Sequence, residues 1–569
     1  MRTKFYAAQV ISIILALSFP ASIYSQQNGT ARRLPGPENS RPATPSTTAP
    51  GAVTGATVKN DLSEALSLVQ ENYIDGKKLD YNSIFKSSIR GMLTVLDPHS
   101  NYFDPVENAA FRNEQRSEYF GIGATIGDLR DGGKVDTFIR STFQNAPAAR
   151  AGLRYGDRIT AIDGQSMTGK PYGEVRKFLL GPRGTVVKVT VEHAGNKQSE
   201  TYTITRDAVS VPSIPQAYLV RPGVGYVAMT SSFSQTTANE FQVALDDLHS
   251  QGMKMLILDL RGNRGGLLIQ AVLVANSFLQ KGQLIVTQKG RLRGATEPYK
   301  AINEAPDQIP LVVLVNNESA SAAEIVAGAL QDHDRALIVG ENTFGKGLVQ
   351  LPIQLEHDSA LLLTVAKYLT PSNRSIQRDY SNGGFYDYYT RGGLSADRST
   401  AAPVQPAGPE SRTDTGRAVY GGGGITPDEF AKPATQKPAE NRLIDSIFAF
   451  SLELVSGRVA GFENYQVQKP IEYNHDIAAD DYPVTEALFK ELRRFVASKP
   501  SFKVTPEQLD RARPFVERQL RYDVATAAFG SLAAVQVLYE NDPQIARAVE
   551  ALPRARELAL AARRAKARS

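Results

Sequence analysis

The sequence predicts a modular α/β protein whose main domain is a largely parallel sheet covered by helices. Three observations carry that expectation. From Pro212 onward, apolar runs such as "MKMLILDL" and "IPLVVLVN" alternate with helix-like segments such as "TTANEFQVALDDLHSQG" and "SAAEIVAGALQDH". Continuous apolar strands separated by amphipathic helices are the pattern of a sheet buried on both faces. Before that point the texture is short alternating strands with Gly turns, and after residue 440 it is helical. At 569 residues the chain is also too long for one domain.

Taken in order, Arg2 and Lys4 precede an apolar run over residues 7–19, followed by Pro20 and small residues. This reads as a signal peptide over residues 1–25, since the run falls short of the ~20 residues of a membrane span. An uncleaved signal anchor is the alternative. In either case the body of the protein is expected in an exported compartment, periplasmic or tethered to the inner membrane. Residues 26–57 are rich in Pro, Ser, Thr and Gly and are expected as a disordered linker. Residues 58–116 read as an N-terminal helical region, with "DLSEALSLVQENYI" starting at an Asp61 cap and "SSIRGMLTVLDPHS" repeating the spacing.

Residues 117–207 form the small β-module. "VDTFIRST", "DRITAIDG" and "VVKVTVEHAG" read as strands, with "PYGEVRKFLLG" as a single helix among them. The main domain is expected over residues 208–390 and 418–435, interrupted by a polar, Pro/Gly-rich loop at 391–417. Residues 440–569 read as a helical C-terminal region with charged faces, a candidate surface for an adaptor or for self-association.

Composition removes several classes of function. The chain has no cysteine, which excludes disulfides, thiolate metal sites and a cysteine nucleophile. A cysteine-free exported chain suits an oxidising space. The six histidines show no HxxxH pairing, so neither a metal nor another cofactor is expected. The net charge of +5 rests on 64 basic and 59 acidic residues, and part of the excess lies in the last residues, "ALPRARELALAARRAKARS", so nucleic acid is not an expected partner.

The residues able to do chemistry cluster in three stretches. In "VNNESASAAEIVAGALQD" a strand enters a helix at Ser319 and Ser321. Ser321 and Glu324 have capping-box spacing, so Ser321 is either a helix cap or a nucleophile beside free helix-terminal amides. A nucleophilic serine needs a base. His333 sits in the polar turn "QDHDR" and is expected to be solvated. The better base is Lys346 in "ENTFGKGLVQLPI", flanked by glycines and by Phe344 and Leu348. Burial there would lower its pKa and let it act neutral. The alternative is an ordinary surface lysine in a Gly turn. Gln350, four residues on, is expected on the same strand face as Lys346, where a neutral amide can orient the amine. The third stretch, "LDLRGNRGG" over residues 258–266, is either a plain turn or half of an oxyanion hole.

Together, "LDLRGNRGG", "SASAAE" and "TFGKGLVQ" resemble the signature of the carboxy-terminal processing peptidases, the tail-specific serine proteases. "LTVLDPHSNYFDP", "YLTPSNRSIQ" and "GGGGITPD" resemble the same family, and the likeness runs from about residue 58 to 430. The resemblance implies a crotonase-like (Clp-protease-like) catalytic core. It maps the nucleophile onto Ser321, the base onto Lys346 and the lysine-orienting residue onto Gln350. Ser319 is left as a cap or bystander. Ala322 with Gly265 or Gly266 is expected to supply the oxyanion hole. One departure is Ala323, where many relatives carry serine.

The β-module resembles a PDZ domain, which this family carries ahead of its core. "YFGIGATIG" is similar to the carboxylate-binding loop, so Gly121, Ile122 and Gly123 are expected to hold a peptide's terminal carboxylate while the tail adds as a strand. The expected function is an exported endopeptidase that recognises protein C-terminal tails through its PDZ domain and cuts with a Ser/Lys dyad. Two other readings stand beside it: a non-catalytic peptide-binding scaffold, and a hydratase-like enzyme on the same fold.

Overall fold

The computed structural model describes residues 54–568 apart from 76–77, 117, 197, 292–295, 382–387, 389–407 and 468–469. The signal peptide, most of the linker and most of the expected 391–417 loop lie outside the described residues. The chain divides into two units, one ending at Leu96 and the other beginning at Asp97.

The first unit holds α1 (Gly55–Asn72) and α2 (Tyr81–Thr94). The first helix begins six residues before the expected Asp61. Thr54 caps it instead, its hydroxyl accepting from the Thr57 amide at 3.2 Å. Asp80 does the same for α2 by accepting from the Ser83 amide.

The second unit opens with β1 (Asn101–Phe103) and α3 (Pro105–Gln115). Then come β2 (Glu118–Gly121), β3 (Ala124–Asp131), β4 (Lys134–Thr142), α4 (Pro147–Ala151), β5 (Arg158–Ile162), β6 (Gln165–Ser166), α5 (Tyr172–Leu179), β7 (Val186–Glu192), β8 (Ser199–Thr205) and β9 (Asp207–Ser210). Strands β3-β4-β5-β7-β8 run side by side, β6 pairs with β5, and β2 pairs with β9 across the base of the module. The alternation in β7, with Val187, Val189 and Val191 fully buried, turns one face of the sheet onto α5 residues Val175 and Leu179. Strand β3 pairs only with β4, so its other edge stays open beside α5.

The main domain follows with β10 (Gln216–Arg221), β11 (Val224–Ala228), α6 (Thr237–Ser250), β12 (Met255–Asp259), α7 (Leu268–Asn276), β13 (Leu284–Gly290), β14 (Thr296–Lys300), β15 (Leu311–Val315), α8 (Ala322–Asp332), β16 (Leu337–Gly340), β17 (Leu348–Gln354) and β18 (Ala360–Leu369). The central sheet has the order β10-β11-β12-β15-β16, ending on the short strand Glu429–Phe430. Only the β10/β11 pair is antiparallel; every other neighbour is parallel. A second, antiparallel sheet joins β1, β18, β13 and β14, with β17 on the other edge of β18. Sequence alternation showed the parallel half and not this second sheet. Residues 408–420, expected within or beside the loop, contain a hairpin of Glu410–Arg412 and Ala418–Tyr420.

The helical C-terminal region spends its apolar faces on the chain itself. The last helix, Pro543–Arg568, lays Ile545, Ala548, Leu552 and Ala555 over the face of the central sheet opposite α8, against Ile257, Val312, Leu314 and Val339. Helix Arg513–Tyr539 bends at Gly530 (φ 81°) and packs against β4. Ser531 N–H donates to Ser141 Oγ at 3.2 Å, and Tyr155 shares a 2.8 Å hydrogen bond with Ser451. The PDZ-like module is thereby clamped from behind, and helix Ile444–Val455 also packs against β3.

Candidate active site

Strand β15 is fully buried along all five residues and delivers the chain into a tight polar turn. Ser321 sits at the end of that turn, one residue before α8, at φ 55° and ψ −113°. A non-glycine residue held there is strained, and strain of that kind gathers at functional positions. The capping-box arrangement is present, but its well-formed half is the carboxylate of Glu324, which accepts from Ser321 N–H at 2.8 Å. The Ser321 hydroxyl makes no helix-capping hydrogen bond of normal geometry and is left for other use.

Glu324 does more than hold its own helix. It is fully buried, and its two oxygens also accept from the backbone amides of Gly345 and Lys346, both at 2.8 Å, and from the Thr343 hydroxyl. Burial raises its pKa, and these donors from Thr343, Lys346, Ser321 and Gly345 pull the other way. One acid therefore ties the turn bearing Ser321 to the loop bearing Lys346. The sequence reading assigned Glu324 only the first of these tasks.

Lys346 is half-buried along its length, with Phe344 and Leu348 buried on either side. Burial of its amine brings the pKa down from 10.5 to about 8, against the opposing charges of Glu324 and Asp97. An amine near 8 is substantially neutral in mildly alkaline solution. Gln350 is reached differently from the expected way. Lys346 lies two residues before β17 begins, so strand alternation does not extend from it to Gln350, and the bulge opposite Val349 and Gln350 is in β18, at Val365. The Gln350 amide instead meets the residue opposite it in β18, its Nε2 donating to Thr364 Oγ1 at 3.3 Å.

The oxyanion candidates separate. The Gly265 amide donates to Asn263 Oδ1 at 2.9 Å, so it is committed and the expectation for it is corrected. Gly265 serves by its size: a Cβ there would lie 2.7 Å from Ser321 Cβ and 3.0 Å from Ala322 N. The amides of Gly266 and Ala322 have no acceptor among the described residues. Ser319 is fully buried, donates to Leu260 O at 2.8 Å and accepts from Asn316 N–H at 2.9 Å, so it joins the two loops and is not a nucleophile.

Two histidines differ from expectation. His333 is not solvated: it bridges Asp414 at 2.8 Å and the Leu284 carbonyl at 2.7 Å. His99, which sequence reasoning passed over, lies close enough to feel the charge of Lys346 and forms a 2.8 Å hydrogen bond with the Tyr388 hydroxyl. Burial first, and that lysine second, hold it down to about 3, so it is neutral. Its only signal in the sequence was the "LDPHS" run.

In the β-module, Gly121 pairs with Asp207, while the carbonyls of Ile122 and Gly123 accept from the amides of Ala148 and Phe143 at 2.7 and 3.1 Å. The amides of Ile122 and Gly123 have no acceptor among the described residues, beside the open edge of β3. Buried donors without acceptors are what an anion-binding loop presents.

A strained serine beside free amides serves acyl transfer, and with a peptide-binding module attached the class is a serine peptidase. Comparison with known proteins agrees. The profile of peptidase family S41 matches residues 223–383, and that of the PDZ domain matches residues 144–193. A carboxy-terminal-processing protease of Bartonella bacilliformis is 39% identical over 303 residues, covering 52% of this chain and 68% of that one. Carboxy-terminal processing protease CtpA of Bacillus subtilis is 35% identical over 328 residues, covering 58% and 68%. Among solved structures, the photosystem II D1 C-terminal processing protease is 32% identical, with a TM-score of 0.33, over 57% of this chain and 91% of that one. The chain belongs to peptidase family S41, with the Clp-protease-like α/β core and PDZ domain of the carboxy-terminal-processing serine proteases.

Proposed function

We propose that this serine protease is an exported endopeptidase that holds a protein's C-terminal tail in its PDZ domain and cuts with a Ser321/Lys346 dyad. The observation that carries the dyad is the carboxylate of Glu324, which binds the backbone amides of both residues and so fixes the turn and the loop to one point. Lys346, neutral, takes the proton from Ser321 Oγ as that oxygen attacks the scissile carbonyl carbon. The amides of Ala322 and Gly266 donate to the oxyanion. The protonated lysine then gives its proton to the departing amine, and water releases the acyl group by the same route. Gln350 orients the amine without restoring its charge.

The tail is held through the free amides of Ile122 and Gly123 and the open edge of β3, next to Gly121. Ser321→Ala is expected to abolish cleavage of a protein with an apolar C-terminal tail while leaving tail binding intact; cleavage at the wild-type rate rejects the dyad.

Export rests on the basic and apolar N-terminus, Arg2, Lys4 and residues 7–19. Fractionation with N-terminal sequencing distinguishes release into the periplasm from tethering at the inner membrane. Binding of an adaptor or a second copy through residues 440–569 rests on the charged outer faces of those helices, and sizing the full chain over a range of concentrations tests self-association.

A further inference from the structure

Residues 97–100 form a turn whose side chains are unusually occupied. Asp97 is buried, and its Oδ1 accepts from the amides of His99 and Ser100, both at 2.8 Å. Its Oδ2 accepts from the Ser100 hydroxyl at 2.6 Å. Burial would raise this carboxyl, but hydrogen bonds from Ser100, His99 and Thr364 outweigh it and hold the pKa below the ordinary value. The group is therefore ionised and accepts only.

The turn lies against the middle of β18. Ser100 Oγ accepts from Thr364 N–H at 3.1 Å, between the stretch of β18 paired with β1 and the stretch paired with β13. The Thr364 hydroxyl is 3.0 Å from Asp97 Oδ1 and 3.3 Å from Gln350 Nε2, its cross-strand partner. A hydroxyl has one proton. Facing an acceptor-only carboxylate, Thr364 gives that proton to Asp97, and its oxygen is left to accept. Only the amino end of the Gln350 amide satisfies it. The carbonyl end, Oε1, has no donor among the described residues and is left as an acceptor.

We propose that Thr364 and Asp97 are positioning residues that fix which end of the Gln350 amide serves the catalytic lysine. A reversed amide would present an NH2 group to a lysine that itself offers only hydrogen-bond donors when protonated. The relay thus makes the Gln350 carbonyl the permanent partner of the amine, with the sequence motif at Asp97 acting across two strands. This rests on the dyad reading, in which Gln350 orients Lys346.

The groups of charge or titration that face Lys346 are Glu324 on α8 and Asp97 and His99 on the turn; Arg378 stands over the Phe344 ring and Tyr388 against His99. Removing the Asp97 charge therefore lets Lys346 lose its proton at lower pH, whereas changing Thr364 leaves that charge in place.

The experiment measures kcat, KM and the pH profile for cleavage of a purified tailed protein. The variants are Thr364→Val, Thr364→Ser, Asp97→Asn, Gln350→Ala and the double variant Thr364→Val with Gln350→Ala. Valine keeps the branched shape of threonine in the strand. Thr364→Val is expected to lower kcat by about 10- to 100-fold with KM unchanged. Thr364→Ser should restore the rate, and the double variant should be no slower than Gln350→Ala alone. Asp97→Asn should lower kcat and move the acid limb of the profile to lower pH. A wild-type rate in Thr364→Val or in Asp97→Asn, or losses that multiply in the double variant, overturns the proposal. If Thr364→Val fails to fold, judged by circular dichroism, the Asp97→Asn result decides. A wild-type rate in Gln350→Ala overturns the proposal together with the part of the dyad reading that uses Gln350; a loss there without one in Thr364→Val removes the relay alone.

Discussion

Around Ser321 the backbone is held by hydrogen bonds from buried side chains, whereas around Gly121–Gly123 its hydrogen bonds come from backbone alone and only the apolar Ile122 side chain is buried in the core. In the first region Glu324, Asn263, Ser319 and Thr343 bind amides and carbonyls from separate loops. In the second, a short β2/β9 pairing and two amide-to-carbonyl bonds suffice. The difference follows from the chemistry proposed for each. A nucleophile at positive φ must be kept within a fraction of an ångström of its base, so the strain is over-determined by side chains. A loop that captures a carboxylate has only to leave its donors free.

The sharpest way to break that contrast is Glu324→Ala. It strips an acceptor from the amides of Ser321, Gly345 and Lys346 and from the Thr343 hydroxyl at once. Orphaning several buried donors costs on the order of 3 kcal/mol or more. Cleavage is expected to fall to background and the melting temperature to drop, with binding of a C-terminal peptide unchanged by fluorescence titration. Lost peptide binding would show that the two regions are not independent.

Next in size is the charge of Lys346. Its folded pKa of about 8 lies below the 10.5 of an ordinary lysine. Below pH 8 the folded chain carries the buried ammonium at a cost. Between about 8 and 10.5 the unfolded chain binds a proton that the folded one does not, so stability rises with pH across that window. Above it both states are neutral and the penalty is gone. Lys346→Met is expected to be inactive yet more stable at pH 7 by about 1–2 kcal/mol, after allowance for solvent screening. The gain should vanish towards pH 10.5 in denaturant titrations. A destabilised variant at pH 7 would show that the amine is not strained by burial.

How much of this was readable beforehand depended on distance along the chain. Ser321 and Lys346 were candidates on local signals, a strand running into a capping box and a lysine between glycines beside apolar residues, but those signals alone fit a cap and a surface lysine, and the family resemblance selected them. Glu324 was half legible, since its bond to Ser321 spans three residues and its bonds to the Lys346 loop span about twenty. His99 was invisible because its partner Tyr388 is 289 residues away. Gln350 was singled out by its four-residue spacing from Lys346 and by family likeness, but strand alternation does not reach back to Lys346, which precedes β17. The Gly265 amide was misassigned because no spacing tells that Asn263 turns its side chain back onto it. The C-terminal helices were legible as helices, but the surfaces they cover were not, because amphipathic spacing names a buried face and not its partner.

The smallest effect belongs to the loop whose hydrogen bonds come from backbone alone. Gly123 has φ +73°, and a Cβ there would sit 2.3 Å from Ala146 Cβ. Both the dihedral and the contact push the loop away from α4, which moves the Ile122 and Gly123 amides from the position a carboxylate needs. No side chain hydrogen-bonds this loop, and its one core anchor, Ile122, is apolar and tolerates a small shift, so the loop can yield without unfolding the module. Gly123→Ala is expected to raise KM for a tailed protein about tenfold, equivalent to about 1.4 kcal/mol, with kcat unchanged. Cleavage of a short peptide that lacks a tail for the PDZ domain should stay at the wild-type rate. A fall in kcat for that short peptide would mean that the PDZ loop acts on the Ser321 turn through the packed C-terminal helices, and the two regions would then be one mechanical unit.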